Sequence, residues 1–392
     1  MWPILLSITI VLFLGYAGLI TYYRQSWLQI PEYKGVPGSI NKIPSTKITI
    51  IIPARNEEQN ISRCLQSIMN QSYPASLFEI IVVDDHSTDN TANIVLSFNS
   101  QNLHLIYLKN FVTGTVNAYK KKAIEVAITQ STGDLIVTTD ADCYMNKEWL
   151  KTIASFYEEY QPACIAAPVS INSTNHFVEI FQALDFMTLQ GITGAAVYKK
   201  IHSMCNGANF AYEKNAYLKV NGFKGIDSIA SGDDMLLMHK IYKLYPNRVL
   251  FLKSREAIVH TKPMNTWKGF FNQRIRWASK ADQYDDKRIL PVLMLVYFFN
   301  LLLLLFPVIA IFKNSTLPLF NYQLSIIDSW LLLLALKTII ELFFLFPLAK
   351  FFNRQIILWW FPPAQPFHIL YTVIAGWLGK FGKYNWKSRT IK

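Results

Sequence analysis

A mostly parallel α/β sheet, with helices on both faces and membrane-spanning helices attached, is the architecture this sequence predicts. Three observations predict it. Apolar, β-branched runs alternate with helical stretches between Lys47 and Pro263, the pattern of parallel strands joined by crossover helices. Polar residues gather at the carboxyl ends of those runs, most densely at Asp140 and Asp142 after Leu135-Ile-Val-Thr-Thr. Long uncharged segments flank this core and raise the hydrophobic share of the 392 residues to 52%, with a mean hydropathy of +0.20; both exceed what a soluble domain needs.

Taken in order, residues 4–23 are uncharged and long enough to cross a bilayer. They lack a basic leader and a small-residue cleavage site, so they read as a retained membrane segment within residues 1–23. Arg24, Lys34, Lys42 and Lys47 follow it, which by the positive-inside rule puts the next domain, residues 47–285, on the cytoplasmic side of the cell membrane. Strands are expected over 47–53, 79–84, 103–108 and 134–139, and helices over 57–69, 87–98 and 117–129. An amphipathic helix over 266–284 sets Trp267, Phe270, Phe271 and Trp277 beside Lys268, Arg274 and Arg276, a composition suited to the membrane interface.

Two further spans, 290–312 and 326–349, are flanked by Lys287, Arg288, Lys350 and Arg354, again on the cytoplasmic side. The stretch 356–381 contains Pro362, Pro363 and Pro366. Prolines at that density interrupt helical hydrogen bonding, so an interfacial or re-entrant segment is expected ahead of a fourth crossing. A basic tail, 382–392, closes the chain.

Composition excludes some classes of function. The net charge of +12 sits largely beside membrane segments without a basic-aromatic recognition module, which points to anionic lipid headgroups and not to nucleic acid. Cys64, Cys143, Cys164 and Cys205 show no Cys-x-x-Cys spacing; reduced thiols and no structural zinc are expected. Neither a dinucleotide-binding nor a phosphate-loop glycine pattern follows any strand.

The strand ends carry the candidate chemistry. Pro53-Ala-Arg-Asn-Glu-Glu58 closes the first strand, Asp84-Asp-His-Ser-Thr-Asp89 the second and Thr139-Asp-Ala-Asp142 the fourth. Open α/β sheets bind ligands at this carboxyl edge. Asp140 and Asp142 offer hard oxygens that suit Mg²⁺ or Mn²⁺ held jointly with a diphosphate. Ser87 or Thr88 would also serve as the cap of the next helix, and Asp233 as the cap of the helix after it. Downstream stand Gly207-Ala-Asn-Phe-Ala-Tyr212, Asp233-Asp234 and Gln273-Arg-Ile-Arg-Trp277.

Pro-x-x-Asn-Glu, Asp-Asp-x-Ser-x-Asp, Asp-x-Asp, acid-Asp and Gln-x-x-Arg-Trp, in this order, resemble the inverting family 2 glycosyltransferases of GT-A fold, and the membrane segments resemble that family's membrane-integrated branch. The resemblance covers residues 47–277. It implies that a nucleotide sugar, UDP-linked, binds against Pro53, Glu57 and Asp85, with Arg55 and Asp84 in the same turns. It turns Asp140 to the ribose, with a share in the metal, and puts Asp142 on the Mg²⁺ or Mn²⁺.

The family's lysine falls at Lys120; Tyr119 replaces the usual preceding glycine, which keeps Lys121 and Lys122 as alternatives. Asp234 becomes the general base, and Gly207, Asn209, Asp233 and Trp277 face the acceptor. Gln273 and Arg276 turn to the donor diphosphate, on a helix that roofs the site in relatives. His260 is a lesser candidate for the metal. With three or four membrane segments and no C-terminal regulatory domain, an enclosed polymer channel is hard to build, and single transfer of a sugar to a membrane lipid or lipid-linked acceptor, forming a β-linkage, is expected. A processive synthase of a β-linked polysaccharide is the alternative, and an inactive membrane scaffold the non-enzymatic one.

Overall fold

The computed structural model describes residues 2–35, 44–112, 117–174, 176–201, 204–230, 232–279, 286–313, 316–319, 322–381, 384–386 and 389–391. In chain order, helix α1 (Trp2–Gln29) precedes β1 (Ile48–Ala54), α2 (Ile61–Met69), β2 (Phe78–Asp84), α3 (Thr91–Ser97) and β3 (Leu103–Tyr107). Next come α4 (Tyr119–Gln130), β4 (Leu135–Thr138), β5 (Tyr144–Met145), α5 (Trp149–Tyr160), β6 (Cys164–Ala166) and β7 (Val169–Ile171). Helix α6 (Phe177–Lys199) leads to β8 (Phe210–Glu213), α7 (Lys214–Lys219), α8 (Met235–Leu244), β9 (Val249–Phe251) and β10 (Val259–Thr261). Four long or amphipathic helices follow: α9 (Trp267–Ala278), α10 (Ile289–Phe312), α11 (Ile326–Phe352) and α12 (Phe361–Phe381). The chain forms two compact units, residues 30–172 with 193–262, and residues 1–29 with 173–192 and 263–392.

The first unit is built on a seven-stranded sheet of order β3-β2-β1-β4-β8-β6-β9. Strands β1 to β4 run parallel, in a register that pairs Ile48 with Phe78 and with Leu135. Their Ile and Val side chains are buried on both faces, as a parallel sheet covered by helices demands. The register aligns Ala54 with Asp84 and Asp84 with Tyr107, so the polar turns after β1, β2 and β4 emerge along one edge. Strand β8 lies antiparallel between β4 and β6, pairing Thr138 with Phe210. Its amino end, residues 207–209, therefore reaches that same edge. A second sheet of order β5-β10-β7 pairs His260 with Tyr144.

Two helices in this unit start later than their sequence suggests. Residues 57–60 form a turn in which the Glu57 carbonyl accepts from the N–H groups of Asn60 and Ile61. Helix α3 starts at Thr91, and Ser87 does not cap it: the Ser87 N–H donates to Asp84 and its hydroxyl accepts from the Asn56 N–H. Asp89 takes the Thr91 N–H instead. The polar side chains that would have begun each helix tie the two turns to one another.

In the second unit α1 packs against α10 and α11, while α12 packs against α9, α10 and α11. Among the described residues, α1, α10 and α11 are the helices long and apolar enough to cross a membrane, and only 17%, 22% and 33% of their apolar windows is buried within the protein. Faces that apolar and that uncovered are stable in hydrocarbon and unfavourable in water. Helix α11 starts on a capping box, in which the Ser325 hydroxyl accepts from the Asp328 N–H and Asp328 accepts from the Ser325 N–H.

Inside the bundle the Lys337 ammonium lies 2.7 Å from Glu341 and 2.8 Å from the Gln365 carbonyl oxygen, and Tyr16 donates to Glu341. Removing one partner of such a buried pair costs about 3–5 kcal/mol. Gly191 lets α6 approach α11, since a Cβ there would stand 2.5 Å from Leu348.

The proline-containing stretch departs from expectation. After a 3₁₀ turn, Gln355–Trp360, residues 361–381 form one continuous helix. Pro362 and Pro363 occupy its first turn, where backbone N–H groups have no helical partner in any case, and Pro366 forfeits a single further bond. The amphipathic stretch 266–284 is helical over α9; residues 280–285 lie outside the described residues.

Candidate active site

The turns after β1 and β2 form one laced wall. The Asn56 side-chain amide oxygen accepts from the Thr88 N–H, the Asp89 carboxylate from the Glu58 N–H, and the Glu58 carboxylate from the Asn90 N–H. Asn56 and His86 hold φ values of 53° and 55°, a left-handed conformation rare outside glycine and asparagine. Within the wall Arg55 donates to the Asp85 carbonyl at 3.1 Å, and its guanidinium lies 3.8 Å from the buried Asp85 carboxylate, which His86 contacts at 3.0 Å. Asp84 is buried below it. Glu57 holds Asn60 at 2.8 Å. Pro53 is half-buried in β1, one residue before this turn.

The acids on the neighbouring turns meet at one cation. Lys120, in the first turn of α4, places its ammonium 2.8 Å from Asp140 and 3.2 Å from Asp233. Burial works against the charged form of Lys120, but the carboxylates of Asp140, Asp233 and Asp234 outweigh it and hold its pKa above the ordinary lysine value. The three consecutive lysines are thereby separated. Lys121 is buried, donating to the carbonyls of Ile226 and Ile229, and Lys122 pairs with Glu125 on the helix surface.

Asp234 caps α8, correcting the expectation that Asp233 would. Its two oxygens accept from the Met235 N–H at 2.7 Å and the Gly207 N–H at 2.8 Å, which fixes the plane of the carboxylate. Ser231, which precedes this pair, lies outside the described residues. Gly207 lies close against this bridge because it lacks a side chain: a Cβ there would meet Asp233 at 3.2 Å and Lys120 at 3.3 Å. Thr138, at the end of β4, holds the Gly207 carbonyl at 3.0 Å.

Asn209 faces away from this bridge, into the scaffold. Its amide nitrogen donates to Pro168 and Ala257 at 2.8 and 2.7 Å, its oxygen accepts from the Trp149 indole, and the side chain is buried. Its polar groups are spent inside the fold, so it braces the 207–209 turn and presents none to an acceptor.

Asp142 is half-buried, 3.4 Å from the Thr261 hydroxyl of β10. His260 stacks on Tyr144 at 5.1 Å. Among the described residues no three His, Cys, Asp or Glu side chains form a metal cluster. The donor set nevertheless fits a hard divalent cation. Asp140, Asp233 and Asp234 gather around Lys120, and the two acids of the Asp-x-Asp step leave most of six coordination positions to diphosphate and water. Cys64 and Cys143 lie beneath this step, where burial and the charges of Asp142 and Asp140 push both thiols up and keep them neutral. All four cysteines are free thiols.

Gln273, Arg276 and Trp277 lie half-buried on α9, in the other unit. The Thr266 hydroxyl caps this helix at the Gly269 N–H. Between these three sits Arg274, buried and paired with Asp185 of α6, a contact that sequence reading passed over. An acid in mid-helix, Asp185, amid the apolar residues of α6 was its one signal.

The family profile described as Glycosyl transferase family 2 matches residues 49–220, and that described as Glycosyl transferase family group 2 matches residues 135–377, more than half of the chain. The chain belongs to glycosyltransferase family 2. Relatives of this family 2 glycosyltransferase include the probable glycosyltransferase YdaM of Bacillus subtilis, 28% identical over 289 residues, which are 72% of this chain and 64% of YdaM. The poly(ribitol-phosphate) beta-N-acetylglucosaminyltransferase TarS of Staphylococcus aureus is 26% identical over 63% of this chain and 40% of its own length. The chain thus spans less than two thirds of either relative.

A dolichyl N-acetyl-alpha-D-glucosaminyl phosphate 3-beta-D-2,3-diacetamido-2,3-dideoxy-beta-D-glucuronosyltransferase of Methanococcus voltae is 25% identical over 79% of this chain and 94% of its own length. Among solved structures, the mannosyltransferase PcManGT from Pyrobaculum calidifontis, in complex with GDP-Man and Mn²⁺, superposes with a TM-score of 0.55 at 20% identity, covering 93% of this chain and 99% of that one. That likeness shows the GT-A fold.

Proposed function

We propose that this family 2 glycosyltransferase moves a sugar from a nucleotide donor, UDP-linked, to a lipid-linked acceptor in the membrane, with inversion at the anomeric carbon. The observation that carries the reading is the bridge from Asp140 through Lys120 to Asp233, beside the doubly held Asp234. It joins the acid assigned to the donor with the acids assigned to the acceptor. Two backbone N–H groups hold the Asp234 carboxylate in one orientation. From there it removes the proton of an acceptor hydroxyl as that oxygen attacks the anomeric carbon from the side opposite the leaving diphosphate, a role worth about 10²–10⁴ in rate. In-line displacement of an α-linked donor yields a β-linked product.

Arg55, Glu57, Asp84 and Asp85, with Pro53, form the wall assigned to the base and ribose. Lys120 and Arg276 supply positive charge to the diphosphate, with Gln273; Gly207, Asp233 and Trp277 serve the acceptor. Asp142, with Asp140, would hold Mg²⁺ or Mn²⁺, which supplies charge neutralisation of the leaving diphosphate. The lipid acceptor is supported by the three apolar helices and by the relative named for a dolichyl phosphate acceptor. The cytoplasmic placement of the catalytic unit rests on the basic residues that flank these helices.

The test is nucleotide release by the purified protein from a panel of UDP- and GDP-sugars, with Mg²⁺ or Mn²⁺ and a total membrane lipid extract, followed by mass and anomeric analysis of the product. A single sugar in β-linkage on a lipid is expected, lost on chelation of the metal and reduced at least 10²-fold in Asp234→Asn. An α-linked product would overturn inversion. A ladder of long products would replace single transfer with a processive synthase, and full activity in Asp234→Asn would remove the base assignment.

A further inference from the structure

Helix α9 carries two arginines within its Gln-x-x-Arg-Trp run, and the structure gives them different surroundings. Residues two apart on a helix project to nearly opposite sides. Arg276 is half-buried, whereas Arg274 is 4% exposed. Both the Nε and the Nη2 of Arg274 donate to one oxygen of Asp185 on α6, at 2.9 and 2.5 Å. Tyr371 of α12 donates to the other Asp185 oxygen, and His368 lies 3.9 Å from it.

Further contacts of the guanidinium reach the motif itself and Phe270, one turn before it. Its Nη1 donates to the Gln273 carbonyl oxygen at 2.9 Å. Its Cζ lies 4.2 Å from the Trp277 ring centroid and 4.7 Å from that of Phe270, within cation–π range. Trp277 also meets Phe186 of α6 at 6.1 Å. Phe270 and Tyr371, which touch the ion pair, pack with Phe181 and Ala364 in one apolar cluster. Lysine could supply the charge at this position, but not the planar fork and the stacked face together.

We propose that Asp185 and Arg274 are a positioning pair: Asp185 fixes the guanidinium of Arg274, which in turn orients the Gln273 amide and the Trp277 ring for catalysis without touching substrate. The inference rests on the functional reading above, which assigns Gln273 to the donor diphosphate and Trp277 to the acceptor. Arg274 thereby acts on the acceptor step through Trp277, and Asp185 acts one contact further away.

The test compares two rates in the same sample: UDP release to the lipid extract and UDP release to water without it, from the UDP-sugar turned over in the donor panel. Both rates come from the same folded molecules, so their ratio is independent of how much of a variant folds. Arg274→Lys keeps the charge and loses the fork. The double variant Asp185→Asn with Arg274→Gln removes both charges and leaves no buried ion unpaired.

The ratio of acceptor-dependent to water-dependent release is expected to fall tenfold or more in both variants, with Asp185→Glu retaining more of it than Asp185→Asn. A ratio within twofold of the parent in Arg274→Lys or in the double variant would overturn the proposal and leave the pair a purely structural contact. Asp234→Asn serves as the separate control. If that variant transfers like the parent, the base assignment fails, while the ratio in Arg274→Lys still reports on the pair.

Discussion

The Lys120 ammonium lies 2.8 Å from Asp140 and also reaches Asp233 at 3.2 Å, so one side chain spans the turn after β4 and the turn before α8. Replacing it with methionine would remove the ammonium that stands against Asp140, Asp233 and Asp234. For Lys120→Met the ratio kcat/KM is expected to fall about 10²–10³-fold, the scale of losing one preorganised charge at a reacting centre. Lys120→Arg is expected to keep part of it. UDP release at saturating metal checks both.

Gly207→Ala tests the crowding at the same bridge. The neighbours of the added methyl, at 3.2 and 3.3 Å, are the ends of the Asp233 and Lys120 side chains, and both can shift. The variant is expected to fold with a thermal midpoint near that of the parent and to lose tenfold or more in transfer. A full return of activity at raised metal concentration would show that the displaced lysine, and not the backbone, was the injured part.

Lys121→Met separates structure from chemistry within adjacent residues. Lys121 holds the carbonyls of Ile226 and Ile229 at 2.6 and 2.8 Å, which ties down the segment that leads to Asp233. Loss of these charge-assisted bonds is expected to cost about 1–3 kcal/mol of stability. Denaturant unfolding would register that loss. The metal concentration giving half-maximal UDP release is expected to stay unchanged, in contrast to Lys120→Met.

Lys253 gives a pH signature. Burial lowers its pKa to about 8, against the raising effect of Glu32, and its ammonium donates to the Ile30 carbonyl at 3.0 Å. Between about pH 8 and the ordinary lysine value near 10.4 the unfolded chain binds a proton that the folded chain has released. Stability contributed by this group therefore rises with pH across that window. The parent is expected to gain stability relative to Lys253→Met as pH is raised from 8 to 10, and to show no such gain between pH 6 and 7.5. Unfolding midpoints of the two proteins at matched pH check the sign.

The sheet and its functional edge were legible because their causes are local. Uninterrupted Ile and Val runs report burial on both faces, and acids at their ends report the edge where a parallel sheet leaves backbone and side chains free. The order of Asp84-Asp85, Asp140, Asp142 and Asp233-Asp234 along the chain is itself the mark of the family. Helix starts were less legible at Glu57 and Ser87, where polar side chains that could cap a helix bond instead to the opposite turn.

What the sequence determined by itself was the family, the class of fold, the three apolar spans and the acids that line the sheet edge, all encoded in residue type and spacing. Tertiary structure decided which of three consecutive lysines meets the acids of the sheet edge, because residues 100° apart on a helix differ only in what stands opposite them, here Asp140 and Asp233 for Lys120 and residues 226–229 for Lys121. It also withdrew Asn209 into the scaffold through partners at Trp149, Pro168 and Ala257, and it paired Arg274 with Asp185, 89 residues away. Contacts at such separations leave no period in the sequence; they exist only once the elements pack.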